Sequence, residues 1–227
     1  MAFLYNLLGL VLNAQNRNDE AIVSYNKGLK IDPNYAMIYN NLGLIYHNKN
    51  ALGKNFESNI NKAEELYKKS LKLNPKIPEA NSNLGNLYSL IGRNEESIKY
   101  HKQAINSDPK YYFSYLNIAY VYISIGNFEE ARKYLNESIA RNPNFSVAHR
   151  ALSRITKYSK DNLHLAQLKN LYNNTNKKDE INKMNLAFAL GKANEDVKDF
   201  EESFFYYKIG NSIHRSKINF SLETEKN

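Results

Sequence analysis

"EANSNLGNLYSLIGRNEESIKYHKQAINSDP", residues 79–109, decides the fold. Its apolar residues fall at Ala80, Leu84, Leu87, Tyr88 and Ile91, the spacing that lays one stripe along an amphipathic helix. Gly92 then ends that helix, because glycine tolerates the left-handed conformation that closes a helix C-terminus. "NEESIKYHKQAI" starts a second helix with acids in its first turn, where the positive end of the helix dipole favours them. Pro109 stops it, since proline lacks the N–H and clashes with the preceding turn. The stretch reads as helix, tight turn, helix.

The same unit recurs along the chain. Asp32-Pro33, Asn74-Pro75, Asp108-Pro109 and Asn142-Pro143 place their prolines 42, 34 and 34 residues apart. Upstream of each stands one word: "NLLGLVL", "NLGLIYH", "NLGNLYS" and "NIAYVYI". The period is 34, with eight extra residues in one interval, inside "NKNALGKNFESNIN". Those residues lengthen the turn or add a helical turn near 48–60. Asn16 and Gly126 occupy the place of Gly92. Gly9, Gly43 and Gly85 sit inside first helices, where each costs roughly 1 kcal/mol relative to alanine. Close approach of the second helix compensates, with the small residues Ala21, Ala63, Ser97 and Ala131 opposite. Ala119 plays the glycine's part in the fourth unit.

Leu8-Gly9, Leu42-Gly43 and Leu84-Gly85, then Leu12, Tyr46 and Tyr88, then Ala21…Tyr25 and Ala63…Tyr67 before the prolines, resemble the tetratricopeptide repeat. The tryptophan that opens the family's pattern is replaced by Tyr5, Tyr39, Asn81 and Tyr115. The resemblance implies an all-α fold, a right-handed superhelical solenoid of antiparallel helix pairs. Residues 1–144 are read as four units and 145–178 as a degenerate helical unit with a polar loop. After that loop Asp179 is the candidate N-cap for the next helix. Residues 179–217 are a further repeat-like hairpin, with Leu190-Gly191, Ser203…Tyr207 and Gly210 in the family's places. Residues 218–227 form a tail.

Neither Gly-Lys pair is a phosphate loop. Gly53-Lys54 has no preceding strand and no following Ser or Thr. Gly191-Lys192 falls mid-helix, where the backbone N–H groups are already used.

Composition excludes several functions. The chain of 227 residues has no cysteine, hence no disulfide framework, no thiolate metal site and no thiol nucleophile. That fits a reducing, cytoplasmic setting. No apolar run reaches the roughly 18–20 residues that span a bilayer. "MAFLYNLLGLVLNAQ" lacks the basic start and cleavage site of a secretion signal and reads as folded helix. His47, His101, His149, His164 and His214 lie far apart with no metal-ligand spacing, so neither a metal nor another cofactor is expected. Glu64-Glu65, Glu95-Glu96, Glu129-Glu130 and Glu201-Glu202 recur in phase at starts of second helices and read as dipole partners. No catalytic motif is present, and no enzyme activity is expected of this chain. The tyrosines at Tyr25, Tyr46, Tyr67, Tyr88 and Tyr122 read as core.

The resemblance implies that first helices line a concave groove that binds a protein or peptide. Asn41, Asn83 and Asn117 share one slot before the Leu-Gly or Ile-Ala pair. A primary amide both donates and accepts, so this row can pair with the backbone of an extended chain. The row is similar to the one in the repeat superhelix of O-GlcNAc transferases. Asn86, Phe113 and Tyr120 belong to the same candidate groove and add contact area. The alternative for these amides is a solvated groove or hydrogen bonding between repeats.

Two rival functions remain. "DEINKMNLAFALGKANEDVKDFEESFFYYKIGNSIHRSKINFSLETE", residues 179–225, resembles the last hairpin and exit segment of bacterial tetratricopeptide-repeat sulfotransferases through "FALGKA", "GN" and "HR". That implies a substrate-presenting arm, with the tail leading to a catalytic domain absent from this chain. The other rival is nucleic acid, drawn by the net charge of +8 from 31 basic and 23 acidic residues. The lysines are scattered, which argues against it; the densest stretch is "YKKSLKLNPK". Apolar residues at both ends of the array predict missing sequence or end-to-end self-association.

Overall fold

A computed structural model of the chain describes residues 1–49, 55–176 and 178–217. The inserted residues 50–54, with Gly53-Lys54, and the tail 218–227 lie outside the described residues. Among the described residues the structure is all helix. The chain divides into two compact units, Met1–Ile125 and Gly126–Asn227.

The first unit is a solenoid of helical hairpins. Helices α1 (Ala2–Ala14) and α2 (Asn18–Ile31) form the first hairpin, α3 (Ala36–Asn48) and α4 (Phe56–Leu73) the second, and α5 (Pro78–Leu90) and α6 (Asn94–Ser107) the third. Helix α7 (Tyr112–Ser124) packs on α5 and α6. Successive first helices touch in the order α1–α3–α5–α7, whereas α2, α4 and α6 touch one another less. The stack therefore closes toward its first helices.

The turns follow from backbone sterics. Asn16 and Gly92 adopt φ of 61° and 77°, and the next N–H reaches back: Arg17 to the Leu12 carbonyl at 2.9 Å, Arg93 to the Tyr88 carbonyl at 2.8 Å. These bonds satisfy carbonyls that the helix end leaves open. In the second unit Gly126 adopts φ 78° and Lys198 φ 63°. Lysine at Lys198 carries a Cβ penalty of about 1 kcal/mol or more in that conformation. Lys198→Gly is expected to raise stability by about 0.5–1 kcal/mol, measured as a shift in urea midpoint at constant slope.

The glycines inside first helices make room for rings. A Cβ on Gly9 would lie 2.3 Å from Tyr25, one on Gly43 2.8 Å from Tyr67, and one on Gly85 2.8 Å from His101. The contact is thus made by the residue one turn after Ala21, Ala63 or Ser97, not by the small residue itself. Those three small residues are fully buried beside it. Tyr25, Tyr67 and Tyr88 are core as expected, but Tyr46 and Tyr122 are only half-buried.

Each first helix after α1 is also tied to the proline that precedes it. Tyr39 Oη donates to the Pro33 carbonyl at 2.9 Å, Asn81 Nδ2 to that of Pro75 at 3.0 Å, and Tyr115 Oη to that of Pro109 at 3.3 Å. In the second unit His149 Nε2 bonds the Pro143 carbonyl at 2.8 Å. The slot of the absent tryptophan thus keeps a donor whose job is to satisfy a carbonyl stranded by proline.

Part of the insertion lengthens α4, which runs 18 residues against 14 in α2 and α6. Glu64-Glu65 consequently sit mid-helix and not at its start. Glu64 instead accepts from Tyr88 Oη at 2.8 Å and pairs with Lys68 at 2.6 Å. Burial raises its carboxyl pKa, but the bonds from Lys68 and Tyr88 outweigh that and hold it below the usual range.

The second unit comprises α8 (Phe128–Arg141), α9 (Ser146–Arg154), α10 (Leu163–Asn174), α11 (Glu180–Asp196) and α12 (Phe200–Lys217). Helix α9 packs chiefly on α11 and α8, and α11 forms a hairpin with α12. Asp179 caps α11, accepting from the Asn182 N–H at 3.3 Å. Gly191 meets the Tyr207 ring as Gly43 meets Tyr67. Lys192 lies mid-helix and is committed to the Asp196 carboxylate and the Thr156 carbonyl. It has no role in holding phosphate.

Candidate functional site

The 34-residue period aligns three rows of side chains across the first helices of the first unit. One row is Phe3, Met37, Glu79 and Phe113. The next is Leu7, Asn41, Asn83 and Asn117, and the third is Leu10, Leu44, Asn86 and Tyr120. Helix geometry puts residues four and three apart on one face, so each helix contributes one member to every row. The α1 end is apolar and open: Phe3 is 59% exposed and Leu7 48%. At the other end Phe113 is 42% and Tyr120 39% exposed. Amides lie between them.

The middle row forms bonds from repeat to repeat. Asn83 Nδ2 donates to Asn40 Oδ1 at 3.0 Å, Asn40 Nδ2 to Asn41 Oδ1 at 3.2 Å, and Asn41 Nδ2 to Asn6 Oδ1 at 2.8 Å. Asn117 Nδ2 makes a long contact of 3.5 Å with Ser82 Oγ. The rule is simple: each slot amide donates to the residue just before the slot in the preceding repeat. Asn6, Asn40 and Ser82 are those acceptors. The pattern of one polar residue before another in phase signals them in the sequence, but only the inter-helix geometry identifies their role.

Asn41 is 6% exposed and lies on the floor of the face. Asn83 and Asn117 are half-buried. Their carbonyl oxygens accept no hydrogen bond among the described residues, and neither does the half-buried amide of Asn86. A chain laid along this face would therefore meet two carbonyl acceptors, one whole amide and apolar contacts on both sides. Nothing in this arrangement can activate a nucleophile or move a proton.

One buried histidine stands beneath it. His101 occupies the slot of Tyr25 and Tyr67 and is fully buried, with Nδ1 3.4 Å from Ser82 Oγ. Its Nε2 has no partner among the described residues. Burial pushes its pKa down to about 3. His101 is absent from the core expected on sequence, although its position four residues after Ser97 marks it.

The second unit has a polar cluster of its own. His149 Nδ1 lies 2.9 Å from His164 Nε2, and His164 Nδ1 lies 2.6 Å from Tyr158 Oη. With His149 donating to Pro143, every bond is satisfied if both rings are neutral and Tyr158 donates. Burial, with a smaller contribution from His149 beside it, drives the His164 pKa down to about 4. These two histidines meet despite their separation in sequence, yet no group of three or more His, Cys, Asp or Glu side chains able to hold a metal occurs among the described residues. No helix of the described residues is long and apolar enough to cross a membrane.

Comparison with known proteins bears on the repeats. Residues 9–50 match the family described as TPR repeat, and residues 76–144 match the one described as Tetratricopeptide repeat. No curated protein matches the chain. Among solved structures, that of PilF from Pseudomonas aeruginosa aligns with a TM-score of 0.66 at 19% identity, covering 99% of this chain and 95% of that one. A crystal structure of MamA aligns with a TM-score of 0.54 at 22% identity, covering 93% of this chain and 97% of that one. At these identities the likeness is one of fold. No enzyme family is indicated, and the resemblance of residues 179–225 to sulfotransferase arms finds no support.

Proposed function

We propose that this chain, which carries tetratricopeptide repeats over residues 9–50 and 76–144, is a protein-interaction scaffold whose first-helix face grips an extended polypeptide. Proteins of such repeats are generally non-catalytic scaffolds. The observation that carries the finer reading is the set of three aligned rows on α1, α3, α5 and α7. Asn83 and Asn117 offer carbonyl oxygens to backbone N–H groups of the ligand, and Asn86 offers both donor and acceptor. Asn41 holds the row in register from below. Phe113 and Tyr120 at one end and Leu7, Leu10 and Leu44 toward the other supply the apolar contact that concentrates binding energy. No feature of the described residues favours the nucleic-acid or sulfotransferase-arm reading over this one.

Peptides selected for binding to the chain from a random library test the reading. Replacing the asparagine row would also break bonds between repeats, so the informative variants are Leu44→Glu and Asn86→Asp. Each is expected to weaken a selected peptide by about tenfold or more. Far-ultraviolet circular dichroism should stay unchanged. Unaltered affinity in both variants would dismiss this face as the site.

A further inference from the structure

The third hairpin lacks a ring that its neighbours have. At the tryptophan slot stand Tyr39, Asn81 and Tyr115, and both tyrosines are nearly buried at 6% exposed. In the second hairpin Lys69 Nζ lies 4.3 Å over the Tyr39 ring. The residue in phase with Lys69 is Gln103, and it lines a cleft of 620 Å³ whose floor includes Asn81, itself only 1% exposed. Asn81 keeps the tyrosine's hydrogen bond to Pro75 and spends its amide also on the Ile77 carbonyl at 3.1 Å. What it does not replace is the volume of the ring.

The walls of that cleft are specific. Lys68, Lys72 and Lys76 recur at four-residue steps along the end of α4 and beyond, and all three line it. Lys68 is paired with Glu64, but Lys72 and Lys76 have no acidic partner among the described residues. Tyr100 supplies an aromatic wall and is itself held against Tyr88 at 5.4 Å between centroids. The cleft lies between α4, α6 and the start of α5, so it is separate from the rows of the first-helix face.

We propose that this cleft is a second binding site, which takes an aromatic side chain, tyrosine above all, presented in an acidic segment of a partner polypeptide. The ring enters the place that Tyr39 and Tyr115 fill from within in the adjoining repeats. Acidic neighbours of that tyrosine pair with Lys72 and Lys76, and Tyr100 offers its face or edge to the incoming ring. On the floor of the cleft Asn81 Oδ1, which accepts no bond among the described residues, receives the hydroxyl of the inserted ring. The densest lysine run of the chain thereby acquires a task that diffuse net charge does not explain.

The test uses the whole chain and a fluorescein-labelled Glu/Asp-rich peptide carrying one tyrosine, with a serine analogue and a labelled oligo-dT as comparisons. The tyrosine peptide is expected to bind about tenfold more tightly than the serine analogue, the margin of a buried ring contact. Asn81→Tyr fills the cleft with the residue the adjoining hairpins already use, so the fold is kept and Tm should rise. That variant is expected to abolish the preference for tyrosine. Lys72→Gln with Lys76→Gln should weaken both peptides alike and flatten the dependence on salt. Undiminished binding of the tyrosine peptide by Asn81→Tyr would overturn the proposal. So would oligo-dT binding more tightly than the peptide with the same dependence on Asn81. Leu44→Glu, on the other face, should leave all of these results unchanged.

Discussion

Replacing Gly43 by valine is expected to destabilise the Met1–Ile125 unit by about 1–3 kcal/mol through overpacking against a buried ring. A Cβ there would lie 2.8 Å from two carbons of the Tyr67 ring. That ring is fully buried, with Ala63, Leu84 and Leu87 around it equally buried, so it has nowhere to move. Overpacking of this kind costs about 1–3 kcal/mol, from which valine's better helix propensity than glycine's takes back only a few tenths. Urea unfolding followed by circular dichroism gives the loss. A second substitution, Tyr67→Leu, removes the obstructing ring, so the double variant should be less destabilised than the sum of the two singles. Strict additivity would mean that the glycine is not there to admit the ring.

Lowering the pH from 7 to 5 should produce a loss of similar size. An unfolded histidine takes up its proton near pH 6.5, whereas His101 resists until about pH 3 and His164 until about pH 4. Between those values the unfolded state holds more protons, so stability falls as pH falls. Their contribution is complete above about pH 6.5 and shrinks by about 1.4 kcal/mol per pH unit for each ring. At pH 5 the loss is about 2 kcal/mol for each, His101 acting on the first unit and His164 on the second. The variant His101→Leu separates the two, because Leu135 already occupies the equivalent slot in the next repeat. Its first unit should lose about 2 kcal/mol of the acid sensitivity and keep only the part due to His47, whose pKa burial also lowers. An unchanged pH profile in that variant would show that His101 is not the titrating group.

Both expectations depend on residues whose identity is visible in the sequence but whose surroundings are not. Helices, turns and the repeated hairpin are legible because a 34-residue period, a left-handed residue at Asn16 or Gly92 and a terminal proline are local signals. The close contact at Gly9, Gly43 and Gly85 is legible in kind. Its partner is not Ala21, Ala63 or Ser97, as their size suggests, because a ring one turn later reaches over the small residue. The pairing of α9 with α11 is not legible, since residues 145–178 lack the motif and only packing selects the neighbour. The same holds for the two histidines that meet between α9 and α10.

The candidate groove is half legible. Recurrence of Asn41, Asn83 and Asn117 singles out one slot in three of the four repeats, with Leu7 there in the first. Whether such amides face a ligand or a neighbouring helix depends on the angle between hairpins, which no local pattern encodes. The structure places Asn41 on the floor, bonded to Asn6, and leaves outward acceptors on Asn83 and Asn117. Asn81 teaches the converse. Its departure from Tyr39 and Tyr115 is readable by alignment of the repeats, but the cleft it leaves requires the position of α6.

The central claim is that the first-helix face of the Met1–Ile125 unit holds a partner's polypeptide. Site-specific photo-crosslinking tests it most directly, with a benzophenone amino acid placed at Leu44 or Asn86 on that face and at Lys62 or Lys102 on the second helices. The account predicts partner adducts at Leu44 and Asn86, in one continuous segment of the captured chain, and background at Lys62 and Lys102. Adducts confined to the second helices would contradict it.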